Sequence, residues 1–340
     1  MQAFEWANAK SVENATALLN DVGSAKPPGP DAWPHPIGGG QDLHTTMKAY
    51  IITPPRVVNL KTIPDANRIT YDPKGILTIG ATATLTQIAE HPDVKELLPG
   101  LVEAVESVAT PQIRNMGTIG GNLCQRPRCW YFRLENVKCL KRGGDTCYAK
   151  EGENKYNAAW GTDAPCVITQ PSDPATMLVA KNARILVAGP EGKSEAWPAS
   201  KFFRMPTVDD PYRETILKPG QIVTGVRFHN VFRGPKDHRS TYLKFKERSS
   251  LDFAMASVAV AKHYGEDDAA GTWRVVLGGV APIPWEVREI ERFLSGKQLD
   301  ESTIAKAAEL AVADARPLSQ NAYKVQLIRT LVKRALMKLA

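Results

Sequence analysis

The period of apolar residues changes several times along the chain, and each change predicts an element. After Ser11, the residues Ala15, Leu18 and Leu19 fall on one helical face, with Ser11 placed to cap the first turn. Lys26-Pro-Pro-Gly-Pro follows. With Pro34 and Pro36, five prolines occupy ten residues, which predicts a rigid loop with neither helix nor ladder. Arg56-Val-Val-Asn-Leu and Ile76-Leu-Thr-Ile-Gly read as strands, and Leu85 to Val108 as helix interrupted near Pro92 and Pro99. Asp173 to Ala180 reads as helix; Arg184-Ile-Leu-Val-Ala and Gln221 to Phe228 read as strands. The polar run Arg233-Gly-Pro-Lys-Asp-His-Arg marks a domain boundary. Beyond it, strands around Tyr242, Val258 and Val275 precede helices near Trp285 to Leu294, Ser302 to Ala315 and Asn321 to Leu339, an α+β order. The last helix places Tyr323, Leu327, Leu331, Ala335 and Leu339 on one stripe and its cations mostly elsewhere, as a solvated face does.

A chain of 340 residues, 43% hydrophobic, is long enough for two domains with sizeable cores, which excludes disorder. The longest apolar stretches, such as that around Met255 to Ala261, fall well short of the roughly 18 to 20 residues that span a bilayer, so no membrane span is expected. Met1-Gln-Ala-Phe-Glu-Trp has neither a basic start nor an apolar core of an export signal. The expectation is a cytoplasmic chain that reaches the periplasm only by export with a signal-bearing partner.

The net charge of +7 would suit nucleic acid if it formed a single stripe. It is instead confined to two segments. Between Cys124 and Cys166 stand Arg126, Arg128, Arg133, Lys138, Lys141, Arg142, Lys150 and Lys155 against five acids; the last twenty residues hold Lys324, Arg329, Lys333, Arg334 and Lys338 with none. The rest is near neutral, so nucleic acid is not the expected partner, and a basic metal-binding module contacting nucleic acid is the rival from another class. All five cysteines, at 124, 129, 139, 147 and 166, share the first segment. They are too sparse for a disulfide scaffold, and their spacing matches neither zinc-ribbon pairs nor the compact ferredoxin run. Spacing alone leaves their role open. The six histidines show no metal-ligand spacing, and no paired carboxylates or nucleophile elbow stand out, so no catalytic residue is assigned.

Two glycine motifs carry candidate binding chemistry. In His35-Pro-Ile-Gly-Gly-Gly-Gln-Asp-Leu, residues without side chains let backbone N–H groups converge on an anion ahead of a helix. In Thr110-Pro-Gln-Ile-Arg-Asn-Met-Gly-Thr-Ile-Gly-Gly-Asn, Gly117, Gly120 and Gly121 permit close approach while Thr118 and Asn122 offer short hydrogen-bonding side chains. Two separated loops suit a two-phosphate ligand; a pair of tight turns is the plainer alternative.

These loops, then Gln170-Pro-Ser-Asp, Tyr242-Leu-Lys-Phe-Lys-Glu-Arg and Gly278-Gly-Val-Ala-Pro-Ile-Pro-Trp, resemble in order the FAD-binding medium subunit of the molybdenum hydroxylase (xanthine dehydrogenase) family. The resemblance implies an α+β protein: a vanillyl-alcohol-oxidase-type (PCMH-type) FAD-binding domain over 1–232, in subdomains of about 1–55 and 56–232, and a CO dehydrogenase flavoprotein C-terminal-like domain over 238–340. It further implies that Pro36, Ile37, Gly38, Gly39, Gly40, Gln41, Asp42 and Leu43 wrap the pyrophosphate of FAD. Thr118, Ile119, Gly120, Gly121 and Asn122 would hold the phosphate and flavin side, Asp173 is similar to the family's polar flavin ligand, and Lys244 matches the lysine of Tyr-x-Lys-x-x-x-Arg. Val108 stands where some relatives stack an aromatic on the adenine.

Most of the family passes from Gly-Gly-Asn to Ser-Asp within about ten residues, whereas here Asn122 and Ser172 are far apart. The insertion, 124–166, resembles that of periplasmic aldehyde oxidoreductases and 4-hydroxybenzoyl-CoA reductases, which implies a 4Fe-4S cluster on Cys129, Cys139, Cys147 and Cys166, with Cys124 a buried thiol. Zinc or disulfides are the alternatives, and the local cationic excess is expected to face the cluster. The implied partners are a large molybdenum-cofactor subunit, a small 2Fe-2S subunit and an external electron acceptor. The implied activity is electron transfer during aldehyde oxidation, or, in the reductase-type alternative, electron flow in the reverse direction.

Overall fold

The computed structural model describes residues 1–21, 32–232, 239–263 and 271–340. Most of the proline-rich stretch and of the boundary run therefore lies outside the described residues.

A small parallel sheet opens the fold, in the order Glu5–Asn8, Arg56–Asn59, His35–Ile37. Helix Val12–Asn20 lies on it, its Ser11 Oγ accepting from Asn14 N–H at 3.1 Å. Two expectations change here. The proline run predicts no ladder, yet Pro36 sits within a paired strand. That strand is at the sheet edge, where a residue without an N–H costs no ladder bond. The division near residue 55 also moves, because Arg56–Asn59 is the middle strand of this first sheet.

A five-stranded antiparallel sheet follows, ordered Ile69–Asp72, Ile76–Gly80, Ile222–Phe228, Arg184–Ala188, Ser194–Pro198. Leu77, Ile79, Ile185, Val226 and Phe228 are fully buried and meet three short helices, Leu85–Glu90, Pro92–Leu97 and Pro99–Glu106. The two prolines that interrupt the helical pattern each open the next helix, a position whose N–H needs no partner. Thr84 and Gln87 form a reciprocal capping box at the first of them.

The C-terminal sheet is antiparallel, in the order Trp285–Glu286, Thr272–Gly278, Ala256–His263, Ser240–Phe245. Both its faces are covered, which explains the nearly unbroken apolar run of its middle strand. Val258, Val260, Val275 and Leu277 pack on the terminal helices, while Tyr242, Ala259, Ala261 and Val276 join the large core containing helices Pro99–Glu106 and Asp173–Ala180. Each fully buried Val or Leu contributes roughly 1.5–3 kcal/mol, so this two-sided burial fixes the C-terminal sheet against the helices of the N-terminal part of the chain. The last helix, Tyr323–Leu339, buries Lys324, Ile328, Leu331, Val332, Ala335 and Leu336. This face is rotated from the expected stripe and includes Lys324, which the sequence pattern places among the solvated cations.

The inserted segment forms only short helices, Trp130–Arg133 and the 3-10 turn Leu140–Arg142. It is tied down by packing: Phe132 and Cys139 bury with Ile51 and Ile52, and Ala159 and Trp160 enter the C-terminal core.

Candidate cofactor site

The two glycine loops lie on one another. A Cβ on Gly38 would stand 2.4 Å from Thr118 Oγ1, and one on Gly39 would stand 2.1 Å from the Met116 carbonyl, so only glycine allows this approach. Gly40 has φ +72°, in the left-handed region. The N–H groups of Gly38, Gly39 and Gly40 have no hydrogen-bond acceptor among the described residues. The second loop differs. Its N–H groups are already bonded: Ile119 to Ala83 O at 2.9 Å, Gly120 to Ala81 O at 2.9 Å, Gly121 to Thr118 Oγ1 at 3.2 Å and Asn122 to Thr118 O at 2.8 Å. Gly120 packs closely on Ala81, where an added Cβ would stand 3.0 Å from both the Cβ and the carbonyl oxygen, which separates this loop's role from that of the first.

From the second loop a side-chain relay leads inward. Ser172 Oγ donates to Asn122 Oδ1 at 2.6 Å, caps helix Asp173–Ala180, and its N–H donates to Gln170 Oε1 at 3.1 Å. Asp173 is brought together with Lys244, whose Nζ donates to Oδ2 at 2.7 Å, both side chains being nearly buried. Tyr242, which opens the motif in which only Lys244 was given a role, donates its hydroxyl to Oδ1 at 2.5 Å. Burial and the adjacent Asp173 carboxylate push the Tyr242 phenol well above its ordinary range. Asp173 lines a cavity whose wall does not include Lys244, its partner at Oδ2.

That cavity, of about 170 Å³, lies among the inserted segment, the Gln170–Asp173 turn and the C-terminal sheet; Arg128, Cys129, Asn157, Gln170, Ser172 and Asp173 are in its wall. Gln170 Nε2 is buried without a hydrogen-bond partner among the described residues. Trp130, whose ring meets that of Tyr156 at 5.3 Å between centroids and a tilt of 59°, also lines it. Gln170 opens a motif in which the sequence pattern marks only Asp173; nothing in the spacing marks Asn157 or Trp130. Val108 packs against the large core rather than into the cavity.

Asp42 plays a different part from its loop neighbours. Its carboxylate accepts from Arg128, from Arg133 Nη2 at 2.9 Å and from the Arg126 N–H at 2.7 Å. Burial pushes its pKa up, but the two guanidiniums and the backbone N–H outweigh this and hold it below the ordinary value. It is the clasp that fastens the insertion to the first glycine loop.

Cys129, Cys139, Cys147 and Cys166 line a second cavity of about 10 Å³, together with Lys141 and Asn157. Burial raises the Cys129 and Cys139 thiols. Cys147 is lowered to about 6, chiefly by a hydrogen bond from Cys166, which is raised. No three Cys, His, Asp or Glu side chains among the described residues surround a single-ion site. In a four-iron cluster each thiolate binds a different iron, so convergence on one point is not required, although the cavity as it stands is smaller than a cluster. Cys124 is apart, packed against the large core and raised to about 12 by burial and then Glu214.

The cationic excess of this segment is largely neutralised from outside it. Arg126 and Lys141 pair with Glu214, Arg128 and Arg133 with Asp42, and Lys155 with Glu247. Of these five, only the ammonium of Lys141 belongs to a residue of the cysteine cavity. The expectation that the local +3 faces the thiolates therefore holds only in part: the charges of Lys150 and Lys141 bear on Cys147 and Cys166, whereas Arg126, Arg128, Arg133 and Lys155 are taken up by acids distant in sequence.

A family model for the FAD binding domain in molybdopterin dehydrogenase matches residues 2–228, and one for the CO dehydrogenase flavoprotein C-terminal domain matches 240–339. The chain is an FAD-binding subunit of the molybdenum hydroxylase family. This flavoprotein subunit is 33% identical over 295 residues to the aldehyde oxidoreductase FAD-binding subunit PaoB of Escherichia coli, a match covering 86% of this chain and 87% of that protein. It is 26% identical over 340 residues to the carbon monoxide dehydrogenase medium chain of Afipia carboxidovorans, covering 98% and 95%. The solved CO dehydrogenase from Oligotropha carboxidovorans has the same fold, with a TM-score of 0.73 at 24% identity over 99% of this chain and 98% of that one. These relatives are oxidoreductase or dehydrogenase subunits, and FAD is the cofactor of the flavoprotein subunit. The residues fit it: three uncommitted N–H groups on a glycine loop suit a pyrophosphate, and the unpartnered Gln170 amide is a buried donor in the wall of the larger cavity. No helix among the described residues is long and apolar enough to cross a membrane.

Proposed function

We propose that this subunit relays electrons between the 2Fe-2S clusters of a small partner subunit and an external acceptor, through FAD and a 4Fe-4S cluster of its own, while a large molybdenum-cofactor subunit oxidises an aldehyde to a carboxylic acid. FAD, when bound, supplies the redox chemistry. In this reading the first glycine loop, Pro36 to Leu43, presents the Gly38, Gly39 and Gly40 N–H groups to the pyrophosphate, with Asp42 holding the insertion rather than the ligand. Thr118 to Asn122 buttress that loop from below, Gln170 donates its amide to the flavin, and Lys244 and Tyr242 hold the Asp173 carboxylate oriented at the cavity wall by one hydrogen bond to each oxygen. Cys129, Cys139, Cys147 and Cys166 ligate the cluster, for which the irregular turns carrying them must part. The observation that carries the cluster reading is that four of five cysteines, from 38 residues of one insertion, line a single cavity beside the flavin cavity. The aldehyde substrate rests on the similarity to the aldehyde oxidoreductase subunit.

The test is purification of the intact complex, with iron, zinc, molybdenum and flavin measured beside aldehyde-dependent dye reduction. Cys139→Ser is expected to lower iron while Cys124→Ser leaves it unchanged. Stoichiometric zinc without cluster iron overturns the cluster, and flavin-free protein with a steeply salt-dependent affinity for DNA overturns the whole reading. Fractionation of cells decides between a cytoplasmic complex and one exported with a partner.

A further inference from the structure

The two cavities share a wall, and Cys129 and Asn157 line both. Asn157 is 6% exposed. Its Nδ2 directs one hydrogen to Val167 O at 3.1 Å and stands 3.7 Å from Cys129 Sγ, within hydrogen-bond reach of sulfur. Both hydrogens of the amide are thereby engaged. Its backbone is fixed as well: the N–H donates to Asn154 O at 2.9 Å and the carbonyl accepts from Asn321 Nδ2 at 3.2 Å. Asn321 is fully buried and also donates to Asn154 O and Ala158 O at 3.3 and 2.9 Å, just before the terminal helix Tyr323–Leu339. The C-terminal domain therefore aims this amide at one cysteine of the four.

We propose that Asn157 is a positioning residue that raises the reduction potential of the 4Fe-4S cluster by donating an N–H···S bond to Cys129, the ligand that borders the flavin cavity. The inference rests on the cluster reading under Proposed function. Adding one electron to the cluster adds one negative charge, part of which resides on the thiolate sulfurs. A donor fixed against one sulfur stabilises the reduced form more than the oxidised form, and hydrogen bonds to sulfur are among the factors that set such potentials. Lys141, the cation in the wall of the cysteine cavity, is already paired with Glu214 and held by the Pro211 and Tyr212 carbonyls.

The test uses the purified complex with Asn157→Asp, which keeps the shape and removes the N–H, and Asn157→Leu, which removes every polar atom. Iron and flavin are counted first, the cluster is then titrated with dithionite under electron paramagnetic resonance, and solvent exchange into deuterium reports protons coupled to the reduced cluster. The expected result is iron and flavin retained in the Asp variant, reduction of the cluster disfavoured about tenfold, which is about 59 mV for one electron, the flavin midpoint unmoved, and one exchangeable proton coupling lost. An unchanged cluster midpoint in iron-replete variants overturns the proposal, as does loss of iron from both, which makes Asn157 a structural support only. A wild-type complex without cluster iron overturns the cluster reading itself, and with it this inference, and is told apart by the metal count.

Discussion

Replacing Lys324 by methionine removes a charge from the core while nearly preserving volume. Lys324 is fully buried, its ammonium donates to Tyr156 O at 3.2 Å and Gly279 O at 2.7 Å, and burial alone lowers its pKa from 10.5 to about 7. Because the folded value lies below the unfolded one, the unfolded chain binds more protons between pH 7 and 10.5, so this residue's cost is full below pH 7 and fades as pH rises to 10.5. Each tenfold change in the protonation equilibrium is worth about 1.4 kcal/mol, so the full cost is about 5 kcal/mol, and it changes by about 3 kcal/mol between about pH 6 and pH 9. Methionine removes that cost but strands two carbonyls, at about 1 kcal/mol each whatever the pH. Lys324→Met is therefore expected to be more stable than the wild type by about 3 kcal/mol at pH 6 and about equal to it at pH 9. Urea unfolding of both proteins at the two pH values, followed by tryptophan fluorescence, measures the difference, in which other titrating groups cancel. A stability difference that is the same at both pH values refutes the depressed lysine.

Asp42→Asn leaves Arg128 and Arg133 facing a neutral amide and is expected to cost about 1–3 kcal/mol, less than a fully buried pair because the side chains are partly exposed. Since the Asp42 carboxyl is held below 3.8, its contribution is present above that pH and is lost as pH falls further, so thermal midpoints of variant and wild type should converge in strong acid. Phe132→Ala empties a fully buried site between Ile51 and Cys139, where Arg126 also lies over the ring, and should cost about 3–5 kcal/mol and speed proteolysis within the insertion. Gly39→Ala drives a Cβ into the Met116 carbonyl and should abolish flavin binding, whereas Gly121→Ala meets only Thr118 Oγ1 at 3.1 Å and should retain flavin; equal flavin content in the two variants overturns the assignment of the first loop as the cradle.

Local signals were legible from the residues themselves. Pro92 and Pro99 end and begin helices wherever they stand, because the missing N–H and fixed φ act within a turn. The same holds for Ser11 at its helix start and for the strands around Ile76 and Val258, whose apolar pattern needs only a covering layer. The glycine loops and the cysteine window were visible as candidates for the same reason: steric freedom and thiol chemistry are properties of the residue type.

Pairings between distant residues were decided only by the tertiary structure. Whether Arg128 faces thiolates or Asp42, and whether Lys141 is a free cation or a partner of Glu214, depends on which chain segments meet, and charge counted in a window contains no record of that. The two glycine loops look alike as sequence, yet one keeps its N–H groups open while Ala81 and Ala83 take up two of those of the other and Thr118 takes up two more. The terminal helix could be recognised by its period, but the face it buries was set by the sheet beneath it, which drew Lys324 into the core. Sequence by itself determined the elements and the stock of reactive groups, since these depend on neighbours a few residues away. Partner, exposure and protonation depend on contacts made across the whole chain, and only the packed structure supplies them.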